Sequence, residues 1–138
     1  KGVATVNGVN GLILLPDNWI LPEGVSFTSG VAETYGSDYS TVNNYSASDW
    51  EKMESHGAVF LPAAGIRGNG FYDEYATDVG SVDVKGEYWS SSYIYSDAGT
   101  STSVWYQAQT FGFSSSSVGL GRLRRHYGLS VRLVRDVE

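Results

Sequence analysis

An α+β domain, with one or two short helices, short mostly antiparallel strands and long loops, is the fold class this sequence predicts. Three observations lead there. The length of 138 residues suits one domain rather than two, so residues 1–138 are read as a single unit. The composition, with 17 Gly, 10 Tyr and 4 Trp beside many Ser and Asn and a single Met, favours strands joined by turns over a helical bundle. The clearest helix signal is short, whereas strand-like stretches recur along the chain. With 41% apolar and 17% charged residues the chain can fill a core and is not a disordered tail.

The elements follow in order. Val3-Ala4-Thr5-Val6 alternates, Asn7-Gly8 is a turn signal, and residues 11–15 form a buried strand that Pro16 stops. Asp17-Asn18 turn into Trp19-Ile20-Leu21, Pro22-Glu23-Gly24 turns again, and residues 28–45 read as loop. Ser48-Asp49-Trp50-Glu51 reads as a capping box that opens the helix. Trp50 and Met53 follow at helical spacing, and Gly57 ends the helix as a left-handed cap. His56, in the last turn, is assigned a structural role. Ala58-Val59-Phe60-Leu61 is a buried strand bounded by Pro62, and residues 68–86 form a long Gly- and Asp-rich loop. Strands are expected at residues 88–92 and 104–108, and a polar turn at Ser114 to Ser117. In the last stretch, residues 129–135, Leu129, Val131 and Leu133 share one face of a strand. Early and late strands are expected to pair, since neither buries its apolar face alone. No internal repeat is visible.

Function classes narrow by exclusion. The chain has no cysteine, which removes disulfides, thiolate metal sites and a Cys nucleophile. No apolar run is long enough to span a bilayer, so the domain itself is not expected to insert in a membrane. The net charge is −6, yet residues 121–138 carry five arginines (Arg122, Arg124, Arg125, Arg132, Arg135) against Asp136 and Glu138. An acidic protein with one basic strip is not a general nucleic-acid binder; the strip is read as solvated strand edge and salt bridges ahead of a phosphate site. The chain opens at Lys1 with no leader, and is expected to be a fragment of a longer surface protein.

Three ordered motifs bring in a family. Phe60-Leu61-Pro62-Ala63-Ala64-Gly65-Ile66-Arg67 follows Trp50 of the capped helix, then comes Gly86-Glu87-Tyr88-Trp89-Ser90-Ser91-Ser92, then Arg125-His126-Tyr127-Gly128-Leu129-Ser130-Val131-Arg132-Leu133-Val134-Arg135-Asp136. Together they resemble the Fibrobacter succinogenes major paralogous domain of bacterial surface proteins, related to the formylglycine-generating-enzyme-like branch of the C-type lectin fold. The resemblance covers the last two thirds of the chain. It implies a C-type-lectin-like domain whose termini pair in one sheet, whose long loops carry recognition, and in which Trp89 is a core ring. It also implies a location outside the cell or on its surface, with a phage virion as the alternative. A narrower resemblance is to variable proteins of diversity-generating retroelements, which share the fold and diversify exposed residues near the C-terminus. The Ser-, Tyr-, Gly- and Thr-rich stretch from Tyr93 to Tyr127 would be that region.

Catalytic and metal chemistry finds little footing. Formylglycine generation needs reactive cysteines, which are absent. Leu15-Pro16-Asp17-Asn18-Trp19 has the wrong order and place for a calcium-dependent sugar site. Asp73, Glu74, Asp78 and Asp83 lack regular calcium-loop spacing and are read as solvated. Ser130, His126 and Asp97 could form a triad only on paper, since no nucleophile elbow surrounds any serine. The expectation is a non-enzymatic module without cofactor or metal. Tyr and Trp supply rigid contact area, with Ser, Gly and Asn as adaptable hydrogen-bonding partners. Tyr93, Tyr95, Trp105, Gln107, Phe111, Arg124 and His126 are the expected exposed binding residues, for a protein or glycan ligand. The alternative is a structural or assembly domain of a surface lipoprotein, with those rings buried.

Overall fold

The computed structural model describes residues 1–34, 36–68, 79–92, 107–125 and 127–132, with Arg124 described by its backbone alone. The described residues form an α+β fold dominated by antiparallel strands, with one α-helix.

The first sheet has the order β3-β1-β2-β4. β1 (Gly2–Val6) and β2 (Val9–Leu14) are joined by Asn7-Gly8, whose φ angles of 47° and 81° are those of a two-residue hairpin turn. That turn sets the register, from Gly2 opposite Ile13 to Val6 opposite Val9. β3 (Asn44–Tyr45) lies parallel to β1, and β4 (Val59–Pro62) antiparallel to β2. Both faces are filled. Val3, Leu12 and Leu61 enter one cluster with Tyr39, Ala63, Tyr88 and Phe113; Ala4, Val6 and Ile13 enter another with Tyr45, Met53 and Ala58. A strand buried on both sides has no polar face, which is why residues 11–15 read as an unbroken apolar run.

The helix α1 spans Ala47–Ser55 and begins two residues earlier than the sequence suggested, with Ser46 rather than Ser48 as its cap. Ser46 Oγ accepts from the Asp49 amide at 3.2 Å and donates to the Asp49 carboxylate at 2.7 Å. Ser46-x-x-Asp49 satisfies the same capping chemistry as Ser48-x-x-Glu51, and the earlier start places an acidic side chain at the third helical position, near the positive end of the dipole. Met53 is fully buried, and the Trp50 ring lies 5.7 Å from that of Phe60. Gly57, at φ 92°, ends the helix as expected, and His56 Nδ1 sits 2.8 Å from the Lys52 carbonyl.

A second, two-stranded sheet pairs β5 (Ile66–Arg67) with β6 (Val79–Gly80). The third runs β7 (Lys85–Trp89), β8 (Gln107–Ser114), β9 (Ser117–Arg124), with the expected polar turn between β8 and β9. β9, where glycines interrupt the apolar pattern, was not foreseen.

The three motifs meet in space. Gly65 bridges Gly86, Arg67 bridges Gly128, and Tyr88 bridges Ser130. Their glycines are dictated by packing: a Cβ on Gly65 would lie 2.3 Å from the Gly80 carbonyl oxygen, and one on Gly86 2.3 Å from the Phe113 ring. Tyr88 stacks on Phe113 at 6.2 Å and donates from its hydroxyl to the Pro62 carbonyl at 2.8 Å. Tyr88 is thus the core ring of the second motif, and Trp89 is half-buried.

In its described part the strand expected at 129–135 is present only as an isolated bridge at Ser130, preceded by one at Gly128, and Val131 is exposed. The described bridges of this stretch are to Arg67 and Tyr88. Residues 133–138 lie outside the described residues.

Candidate functional site

The first sheet changes character along one face. Val3 and Leu12 are directly opposed and buried. Two residues further, on the same face, Thr5 stands opposite Asn10 on β2 and opposite Asn44 on β3. Asn44, Thr5 and Asn10 therefore form a polar row across three strands, at the point where the core ends. This row floors a cleft of about 630 Å³. Residues 36–40, Asp83 and Val84 wall it, and Ser115 of the β8–β9 turn contributes to the lining.

Each wall is held from beneath. Residues 39–41 form a 3₁₀ turn capped by Asp38, whose Oδ1 accepts from the Ser40 amide at 3.0 Å. Tyr39 is buried, and burial pushes its hydroxyl pKa up to about 12. That hydroxyl donates to the Val84 carbonyl at 2.8 Å, tying the two walls together. The opposite turn carries Ser81 and Asp83 at φ 61° and 62°, a left-handed conformation that costs about 1–3 kcal/mol for a non-glycine residue. It is held by the Asp83 amide donating to the Ala63 carbonyl at 2.8 Å and by Asn10 Nδ2 donating to the Asp83 carbonyl at 3.0 Å. Gly65 leaves the room this turn occupies.

The floor is partly self-satisfied: the Thr5 hydroxyl donates to Asn10 Oδ1 at 2.7 Å. The Asn44 amide and the Asp83 carboxylate have no hydrogen-bond partner among the described residues. The cleft thus presents an amide, serine hydroxyls and carboxylates on a fixed frame, a set suited to hydrogen-bonding a polar ligand.

Gln107 and Phe111, the residues singled out from sequence whose side chains are described, are not among the residues that line the cleft. Gln107 and Phe111, expected exposed, are both half-buried on β8. Phe111 and Phe113 are two apart on one strand face, so Phe111 follows Phe113 against the first core cluster. Gln107 is opposite Arg124 in register, whose side chain is outside the description. Tyr93, Tyr95, Trp105 and His126 lie outside the described residues, as do Asp73, Glu74, Asp78 and Asp97. Asp83, read as a solvated loop acid, is exposed and lines the cleft. Among the described residues no group of three His, Cys, Asp or Glu could hold a metal ion, and no helix is long and apolar enough to cross a membrane.

A second polar feature was also missed. Glu87 is only 9% exposed; it accepts from the Thr110 hydroxyl and lies 3.7 Å from Lys85 Nζ. A Cβ on Gly112 would approach its carboxylate to 2.6 Å. The carboxylate therefore lies flat across β8, where only glycine leaves space.

The cleft residues had one faint signal in the sequence. Thr5 and Asn10 are polar residues at positions where the period of Val3 and Leu12 calls for apolar ones, and the Asn7-Gly8 turn makes them neighbours. No family model, curated protein or solved structure matches this chain.

Proposed function

We propose that this chain is a non-catalytic ligand-binding module with a C-type-lectin-like fold, displayed on a bacterial surface or phage particle, and that it recognises a glycan through the cleft over β1–β3. The observation that carries the reading is the cleft itself: about 630 Å³, within the range of small-molecule sites, with a polar floor and two walls hydrogen-bonded to each other. Among the described residues the broad aromatic patch that a protein ligand would call for finds no support, since Phe111 packs against the core. The convergence of the three motifs at one junction supports the fold assignment. The stretch from Tyr93 to Tyr127, with His126 within it, belongs to the proposal as a second contact region, open to retroelement diversification. No covalent step is part of it.

A glycan array followed by calorimetric titration tests the reading. The expected result is a saccharide whose affinity falls about tenfold or more in Asn44→Ala, the loss of a hydrogen bond or two, while circular dichroism is unchanged. A saccharide whose affinity ignores Asn44→Ala would move recognition to the C-terminal region. Silence on both glycan and protein arrays would favour a structural or assembly domain.

A further inference from the structure

We infer that the cleft selects a saccharide bearing a free ammonium group, an amino sugar rather than a neutral or acidic one, with Asp83 as the residue that takes the amine. This deepens the glycan reading and rests on it.

Charge is the first argument. Asp38 and Asp83 both line the cleft, and the described lining contains no Lys, Arg or His. The ion pairs among the described residues are Asp49 with Lys52 and Glu87 with Lys85, so neither cleft acid is neutralised there. The whole chain carries −6. A concave site lined by one sign of charge focuses its field and concentrates ligands of the other sign. A uronate would meet repulsion. A neutral sugar would gain hydrogen bonds alone. An ammonium donates three hydrogens, and its bonds to a carboxylate are roughly twice as strong as neutral ones.

Geometry separates the two acids. Asp38 already spends Oδ1 on the Ser40 amide and holds the 3₁₀ turn. Asp83, which lines the cleft, makes its hydrogen bonds through its backbone, donating to Ala63 and accepting from Asn10, and its carboxylate has no partner among the described residues. The residue is held in a left-handed conformation that a chain would lose readily without those contacts. Asn44 on the floor, with Ser37 and Ser40 on the wall, is left for the sugar hydroxyls.

The test compares three tetrasaccharides by calorimetry at low salt: fully deacetylated glucosamine, its N-acetylated counterpart and a glucuronate oligomer. Acetylation removes the charge and keeps the ring. The inference expects the amine form to bind at least tenfold tighter than the acetylated one, that advantage to vanish in Asp83→Asn, and the uronate not to bind. Asn tolerates the left-handed backbone, so Asp83→Asn should keep its fold by circular dichroism. Equal binding of the two glucosamine forms, binding of the uronate, or an unchanged preference in Asp83→Asn overturns the ligand class while leaving the cleft reading intact. A saccharide found on the array that Asn44→Ala does not weaken overturns the cleft reading itself. Calcium binding that depends on Asp83 and displaces the amine form would make the cleft a cation site and overturn the inference too.

Discussion

The first and third sheets solve different problems with the same kind of strand. The sheet of β1–β4 is packed on both faces, with Val3 and Leu12 in one cluster and Ala4 and Ile13 in the other. The sheet of β7–β9 sends Tyr88, Phe111 and Phe113 toward the core and carries a buried carboxylate, Glu87, over glycines on its other face. The third sheet and its neighbours are rich in aromatic residues, yet Tyr88, Phe111 and Phe113 are framework. The cleft forms on the first sheet, at the row where an apolar face turns polar.

The largest contrast should be in core truncation. Leu12→Ala, at a fully buried position on β2, is expected to cost about 3–4 kcal/mol in urea unfolding. Leu120→Ala on β9, where the side chain is 72% exposed, should stay within about 0.5 kcal/mol. Comparable losses would mean that β9 is covered in solution, and would break the contrast.

Buried polar groups sharpen it next. Asn43 donates to the Val3 and Thr28 carbonyls, each at 2.8 Å, and accepts from the Thr28 amide at 2.8 Å and the Tyr45 hydroxyl at 3.1 Å. Asn43→Ala strands several of these groups, and a loss of about 2–3 kcal/mol is expected. Thr110→Val on the third sheet removes one donor from Glu87 and should cost about 1–2 kcal/mol. Denaturant midpoints of the two variants, at equal slope, decide the order.

These residues also mark how far the sequence could be read. The β1–β2 hairpin was legible because Asn7-Gly8 permits one register and the apolar pattern demands it. The helix was legible in kind but not in its start, because Ser46 and Ser48 offer equivalent caps and only Met53 and Trp50 packing separates them. β9 was not legible: Gly119 and Gly121 erase the alternation, and Gly121 is small because Thr110 lies across the sheet from it. The cleft was not legible because its parts lie at 5–10, 36–44, 83–84 and 115, and their meeting depends on loop closure over long sequence separations.

Alkaline titration tests the same two sheets through their tyrosines. Burial lifts Tyr39 to about 12 from an ordinary value of 10, and burial together with the Asp49 charge lifts Tyr45 to about 12. Tyr88 on β7 is also raised by burial, but a hydrogen bond with Ser130 and the Arg132 charge oppose the shift. When folding favours the neutral phenol, the unfolded chain loses its proton first. Stability is then full below pH 10 and falls as pH rises toward 12. Difference absorbance near 295 nm should show Tyr39, in the turn before β3, and Tyr45, on β3, ionising last, together with unfolding; early ionisation of Tyr39 would mean that its tie to Val84 is broken in solution.

The smallest effects lie at the turns that deliver each sheet's chain. Ser46→Ala removes the cap between β3 and α1 and should cost about 1 kcal/mol at neutral pH. The exposed Ser114–Ser117 hydroxyl pair, at 2.8 Å across the β8–β9 turn, gains little over water, so Ser117→Ala should be near silent. The cap also has a pH signature. The Ser46 hydrogen bond is the main reason the Asp49 carboxyl lies below its usual range, with the Lys52 charge assisting. A depressed carboxyl stabilises the fold above its unfolded value and loses that contribution as pH falls through the folded one. The gap between wild type and Ser46→Ala should therefore narrow on acidification, whereas Ser117→Ala should track wild type at every pH. A gap that stays constant would assign the cap's worth to the Asp49 amide alone, with the carboxylate a bystander.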